Sequence, residues 1–130
     1  MGIRTFIIIE DDLQSLYLME RYVRRSGFRP VFTTQGENAV ALVRQERPVV
    51  IVLDLGLPGM GGWDVLRALK ADKTTCHIPV ILYSGLNEVE NGREAGAVAY
   101  LRKPVYYQDF LDALREAGID PPSEPLPPPR

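Results

Sequence analysis

The sequence predicts an α/β fold: a five-stranded parallel sheet between two helical layers, in alternating (βα)5 order. Three observations carry this. First, short apolar runs such as Thr5 to Ile9, Val49 to Leu53 and Ile78 to Tyr83 show no polar alternation, as strands buried on both faces do. Second, the segments between them place apolar residues at helical spacing, with charged residues on the opposite face. Third, strands alternating with helices imply βαβ units with right-handed crossovers, hence a parallel sheet.

The elements follow in order. Thr5 to Ile9 is a first strand, β-branched and aromatic, and Glu10-Asp11-Asp12 ends it. Asp12 is placed to cap the next helix by accepting from its free N–H groups; three adjacent acids exceed what capping needs. That helix runs to about Ser26, with Leu16, Met19 and Val23 on one stripe and Gly27 as its stop. Pro30 to Thr34 is a shorter strand. Gly36 opens a second helix, whose Ala39, Val40, Leu42 and Val43 are apolar and whose Arg44, Glu46 and Arg47 are solvated. Pro48 ends it and leads into the third strand, which closes on Asp54; Gly56, Pro58 and Gly59 then open a loop.

Gly62 to Ala71 forms a third helix with Trp63, Leu66 and Leu69 inward, Trp63 as a partly buried core residue. Asp72 to His77 is a polar connection, in which Cys76 and His77 lack the further ligands a metal pair needs. Ile78 to Tyr83 is the fourth strand, with Pro79 at its start where a missing donor is tolerated. After Ser84-Gly85 comes a weak helix, Leu86 to Gly92, and the chain from Ala95 to Leu101 leads into a fifth strand ending at Arg102-Lys103-Pro104. Gln108 to Ala117 is the last helix, with Phe110, Leu111 and Leu114 inward. The domain is expected over residues 1–118. Residues 119–130 read as a Pro-rich flexible tail, because six of the 11 prolines, from Pro121 to Pro129, fall there.

Composition narrows the function classes. The 130 residues are 45% hydrophobic, enough for one domain with a real core and too few for two. The net charge is −2 and 12 of the 15 cations are scattered arginines, so no basic patch calls for nucleic acid. Cys76 is the one cysteine, which excludes an internal disulfide and suits a reducing compartment. No apolar stretch approaches the roughly 20 residues that span a bilayer. Ile3 to Ile9 is no signal peptide, since acids end it. A cytoplasmic protein without membrane attachment is the simplest expectation.

The parallel sheet brings its strand ends together. Glu10, Asp11, Asp54, Ser84 and Lys103 all stand at carboxyl ends of strands, where open α/β sheets gather their ligand chemistry. Two carboxylates about 5 Å apart repel by roughly 3 kcal/mol at an effective dielectric near 20. Lys103 offsets part of that. A hard divalent cation bound by oxygen alone, Mg²⁺ or Mn²⁺, would offset more.

The pieces Ile7-Ile8-Ile9-Glu10-Asp11-Asp12, Val52-Leu53-Asp54-Leu55 with Leu57-Pro58-Gly59-Met60, Ile78-Pro79-Val80-Ile81, Ser84-Gly85 and Gly96-Ala97 through Tyr100-Leu101-Arg102-Lys103-Pro104 together resemble the receiver domain of two-component response regulators. The resemblance runs from about residue 3 to residue 117 and implies a stand-alone signalling switch of the phosphorelay type. It implies Asp54 as the phosphoacceptor, a histidine kinase or histidine phosphotransfer protein as donor, and a Mg²⁺ site made by Asp11, Glu10, Asp54 and the Gly56 carbonyl. It further implies Lys103 and Ser84 as ligands of phosphoryl oxygens, Tyr100 as an aromatic switch residue coupled to Ser84, and Pro104 as a cis proline. It implies no turnover of an external substrate. The output protein is not named by the sequence, and a homodimer is compatible with it.

Three departures stand out against that family. Ser84 replaces the commoner threonine, Gly56 offers no side chain to shield an acyl phosphate, and the stretch from Ser84 to Lys103 is about one helical turn short. Other classes share the flavodoxin-like architecture. A mononucleotide binder would need a Ser/Thr/Gly-rich loop after the first strand, where Glu10-Asp11-Asp12 instead repels an anion. An aspartyl phosphatase would want a second acid at position 56. A pseudo-receiver that never carries phosphate is a further alternative, although every side chain phosphorylation requires is present.

Overall fold

A computed structural model describes residues 2–57, 59–84 and 89–121 of the chain. The strands are β1 (Thr5–Ile9), β2 (Arg29–Thr33), β3 (Val50–Asp54), β4 (Val80–Ser84) and β5 (Ala99–Arg102); the helices are α1 (Leu13–Arg25), α2 (Ala39–Glu46), α3 (Gly62–Ala71), α4 (Val89–Glu94) and α5 (Tyr107–Glu116). All strand pairings are parallel, in the order β2-β1-β3-β4-β5. The three inner strands are buried along their whole length, which is why their sequences carry no polar alternation.

Alternate residues of these strands feed two cores. On one face Phe6, Ile8, Val52, Ile81 and Leu101 meet α1 and α5; on the other Ile7, Ile9, Leu53 and Leu82 meet α2 and α3. The first core is rich in aromatic rings, with Phe6 stacked on Phe110 at 5.5 Å and edge-on to Phe28 at 5.9 Å. Trp63 is half-buried against the second core, while Cys76 and His77 are exposed. Among the described residues no helix is long and apolar enough to cross a membrane.

Element boundaries depart from expectation in instructive places. The edge strand β2 begins and ends one residue earlier than predicted; it is half-exposed, so burial does not mark its limits. The second helix opens with a 3₁₀ turn over Gly36–Asn38 before α2 proper, and Arg47 in left-handed conformation (φ 47°) ends it. A Cβ at Gly36 would stand 2.6 Å from the Met60 carbonyl oxygen, so the glycine there permits a close approach. α4 lies further along the chain than the expected Leu86 to Gly92; the part of that expectation on residues 86–88 falls outside the described residues, as do Pro58, Gly85 and residues 122–130 of the tail. Gly92 is inside α4, not at its end. There a Cβ would come within 2.6 Å of Leu82 Cδ1, so glycine lets this short helix lie close on β4. At the end of α5, the Gly118 N–H donates to Arg115 and that of Ile119 to Leu114, and Ile119 packs against the aromatic core.

Candidate functional site

The strand order reverses direction between β1 and β3: the chain goes from β1 outward to β2, then returns to build β3, β4 and β5 on the other side. A crevice opens at such a switch point, above the carboxyl ends of the strands. Glu10 follows β1 there and Asp54 is the last residue of β3. Oxygens of Glu10, Asp11 and Asp54 all lie within 4.8 Å of one another. Glu10 and Asp54 are buried, at 1% and 4% exposure, whereas Asp11 faces solvent. The three predicted acids therefore converge. Asp12 does the capping expected of it, accepting from the Ser15 N–H at 3.0 Å and the Ser15 hydroxyl at 2.7 Å.

Each buried carboxylate has one oxygen satisfied by backbone. Glu10 Oε1 accepts from the Asp12 N–H at 3.0 Å, and Asp54 Oδ1 accepts from the Gly56 N–H at 2.9 Å. The other oxygens, Glu10 Oε2 and Asp54 Oδ2, each stand 3.8 Å from Lys103 Nζ. That is an ion pair without the shorter contact of a direct hydrogen bond. Glu10 Oε2 is buried and has no hydrogen-bond donor among the described residues. A buried carboxylate oxygen without a hydrogen bond is expensive to keep charged. Burial accordingly pushes the Glu10 carboxyl up from its ordinary 4.5 to about 8, with the Asp54 charge adding to the rise and the Asp12 N–H and Lys103 opposing it. Without a cation, burial favours the protonated form of Glu10. With one, the orphaned oxygen has a partner, and an all-oxygen donor set suits Mg²⁺ or Mn²⁺. The residues present thus fit a hard divalent ion.

The remaining predicted residues fall around this cluster. Ser84 ends β4 and is buried; the Lys103 N–H donates to its carbonyl at 3.0 Å, continuing the sheet. The Lys103–Pro104 peptide bond is cis. Tyr100 is half-buried on β5 and packs against the core under α3 and α4. The register Leu82↔Tyr100 and Ser84↔Arg102 puts Ser84 and Tyr100 on one face of neighbouring strands, one pleat apart.

Sequence reasoning missed Tyr83 as a site residue. It pairs across from Asp54 in the sheet, and Lys103 Nζ lies 4.6 Å from the centre of its ring. Its position as the penultimate residue of a buried strand gave no sign that it would carry a lysine.

Comparison with known proteins agrees with this arrangement. A family model described as the response regulator receiver domain matches residues 6–115. The chain is 30% identical over 115 residues to the polar-differentiation response regulator DivK of Brucella anthropi, covering 86% of this chain and 94% of that one. Among solved structures it is similar to the bacteriophytochrome response regulator RtBRR (TM-score 0.83, 28% identity, 98% of this chain and 86% of that one). The fold is shared with the receiver domain of the sensor histidine kinase PA1611 from Pseudomonas aeruginosa PAO1, a structure with a magnesium ion coordinated in its active site cleft (TM-score 0.79, 24% identity, 90% of this chain and 99% of that one).

Proposed function

The chain belongs to the response regulator receiver family, and from that membership we propose that Asp54 accepts a phosphoryl group from a phosphohistidine on a sensor histidine kinase or histidine phosphotransfer protein. One observation carries the reading. A lysine ammonium stands equidistant, at 3.8 Å, from two buried carboxylates, one of which has an oxygen with no other partner. Such a site is built to receive a cation and an anion together.

In the proposed transfer a carboxylate oxygen of Asp54 attacks phosphorus. The new O–P bond forms as the P–N bond to the donor imidazole breaks, and the electron pair leaves with that nitrogen, which takes up a proton. The Gly56 N–H, bonded to Asp54 Oδ1, holds the carboxylate in place and leaves Oδ2 for the attack. Lys103 supplies positive charge to a phosphoryl oxygen, and Ser84 donates its hydroxyl to another. Glu10, Asp11, Asp54 and the Gly56 carbonyl would hold Mg²⁺ or Mn²⁺, whose chemistry here is to neutralise charge on the transferring group. The magnesium in the PA1611 receiver's cleft is in keeping with that assignment. Tyr100 follows the state of Ser84 and reports it to an output protein, and the domain acts on no external substrate.

Acetyl phosphate with Mg²⁺ tests the reading. The protein should gain one phosphoryl group, labile to base and to hydroxylamine, and Asp54→Asn should gain none. Equal labelling of Asp54→Asn, or no labelling of the wild type by any donor, overturns it.

A further inference from the structure

Lys103 is the cation of the site, yet among the described residues its ammonium makes only long contacts, 3.8 Å to each carboxylate and 4.6 Å to the Tyr83 ring centre. A lysine head on four rotatable bonds is not placed by contacts of that kind alone. Its position has to be set from the backbone that carries it. On one side the Lys103 N–H is pegged to the Ser84 carbonyl at 3.0 Å. On the other side comes Pro104, which has no N–H to give the sheet. The next peg is the Val105 carbonyl, which accepts from the Tyr22 hydroxyl at 2.8 Å across 83 residues of sequence. Tyr22 is itself fixed. Its ring packs on Tyr107 at 5.4 Å and Phe110 at 5.8 Å, and its carbonyl accepts from the Ser26 hydroxyl, which also bonds the Tyr107 hydroxyl at 3.0 Å.

We propose that Tyr22 is a positioning residue for Lys103: by holding the Val105 carbonyl to α1, its hydroxyl fixes the backbone from which the lysine reaches the phosphoryl group. The proposal rests on the phosphoacceptor reading for its consequence and on the geometry alone for its link. Losing one such hydrogen bond corresponds to a change of about threefold to tenfold in an equilibrium or rate.

Tyr22→Phe in the full chain tests it, because the ring and its packing remain. The chain has three lysines, Lys70, Lys73 and Lys103, so lysine side-chain NMR signals are few enough to assign. Lys103 lies over the Tyr83 ring, whose ring current makes its ε-methylene signals sensitive to small displacements. In Tyr22→Phe those signals should move while those of Lys70 and Lys73 stay. Phosphorylation by acetyl phosphate at saturating Mg²⁺ should slow by about threefold to tenfold, and the same substitution in a Lys103→Ala background should add no further loss. Unmoved Lys103 signals overturn the proposal, as does a wild-type rate or an equal loss in both backgrounds. Failure of the wild type to accept phosphate would instead count against the phosphoacceptor reading, and the lysine signals would still decide the link.

Discussion

At the scale of single residues, the site is governed by Glu10 Oε2, which has no hydrogen bond among the described residues. Glu10 has its carboxyl raised from 4.5 to about 8 chiefly by burial, with the Asp54 charge behind it. A raised folded-state value means that the folded protein holds the proton more tightly than the unfolded chain. Glu10's contribution to stability is then fully present below about pH 4.5 and declines as pH rises toward about 8, where the folded form also ionises. In chelator, the melting temperature of the wild type relative to Glu10→Gln should fall across that window; with saturating Mg²⁺ the difference should flatten, since the metal needs the ionised form. Parallel pH profiles for the two proteins without metal would refute this. Gly56 poses a separate question. Its φ is not positive, it is exposed, and a Cβ there would sit 3.5 Å from Asp54 Oδ1 and 3.9 Å from Oδ2, in ordinary contact. A side chain can therefore be added without strain directly beside Asp54. Replacing Gly56 with progressively bulkier residues should lengthen the lifetime of the phosphorylated form by obstructing water. Decay that stays the same or quickens across the series would show that access at this position does not control hydrolysis.

At the scale of elements, α3 is held to β3 by the absence of one atom. A Cβ on Gly62 would stand 2.4 Å from the Asp54 carbonyl oxygen and 2.6 Å from Leu55 Cα, both backbone atoms that cannot swing aside. Gly62→Ala gains about 1 kcal/mol of helix propensity, but overpacking of this kind costs about 1–3 kcal/mol when side chains must move, and more against backbone. We expect a net loss of about 2 kcal/mol in urea unfolding, together with weaker Mg²⁺ binding, because the displaced helix start pulls on Asp54. A variant as stable as the wild type would mean that α3 can shift freely. The sequence made α3 legible to the residue, Gly62 to Ala71, because its apolar spacing and its flanking glycine and aspartate agree. It revealed β1 and β3 for a similar reason, since full burial leaves an uninterrupted apolar run, and it revealed β4 with limits two residues early at the start and one early at the end. The limits of β2 were less legible because an edge strand need not be apolar on both faces. Gly92 was misread as a helix end: its requirement is a tertiary one, the nearness of Leu82, which no local pattern encodes. The acid cluster could be anticipated from strand ends alone. Tyr22 and Tyr83 could not, since each acts through a partner far along the chain or across the sheet.

At the scale of the whole molecule, the sheet separates two tasks by face. Asp54 continues the alternation of Val50 and Val52, on the side of α1 and α5, and Lys103 continues that of Ala99 and Leu101. Ser84 and Tyr100 continue the opposite alternation, on the side where Leu82 meets the second core. A hydroxyl drawn toward phosphate on Asp54 would therefore transmit a pull through β4 to the far face. α4 is what lies there. It is six residues long, too short to sustain itself without packing, and it rests through Gly92 on Leu82, with Tyr100 Cδ2 3.9 Å from where a Cβ would be. Opening so short an element needs little free energy and is readily biased. Amide exchange in Val89 to Arg93 should slow when Asp54 is phosphorylated, as Ser84 and Tyr100 settle beneath the helix. Ser84→Ala should abolish that slowing while Asp54 remains phosphorylatable, because it removes the hydroxyl that a phosphate on Asp54 would draw. Equal exchange in both phosphorylation states would leave Tyr100 as a core residue and place the output surface elsewhere. Slowing that survives in Ser84→Ala would keep α4 as the responsive element but route the signal through Lys103 and β5 instead.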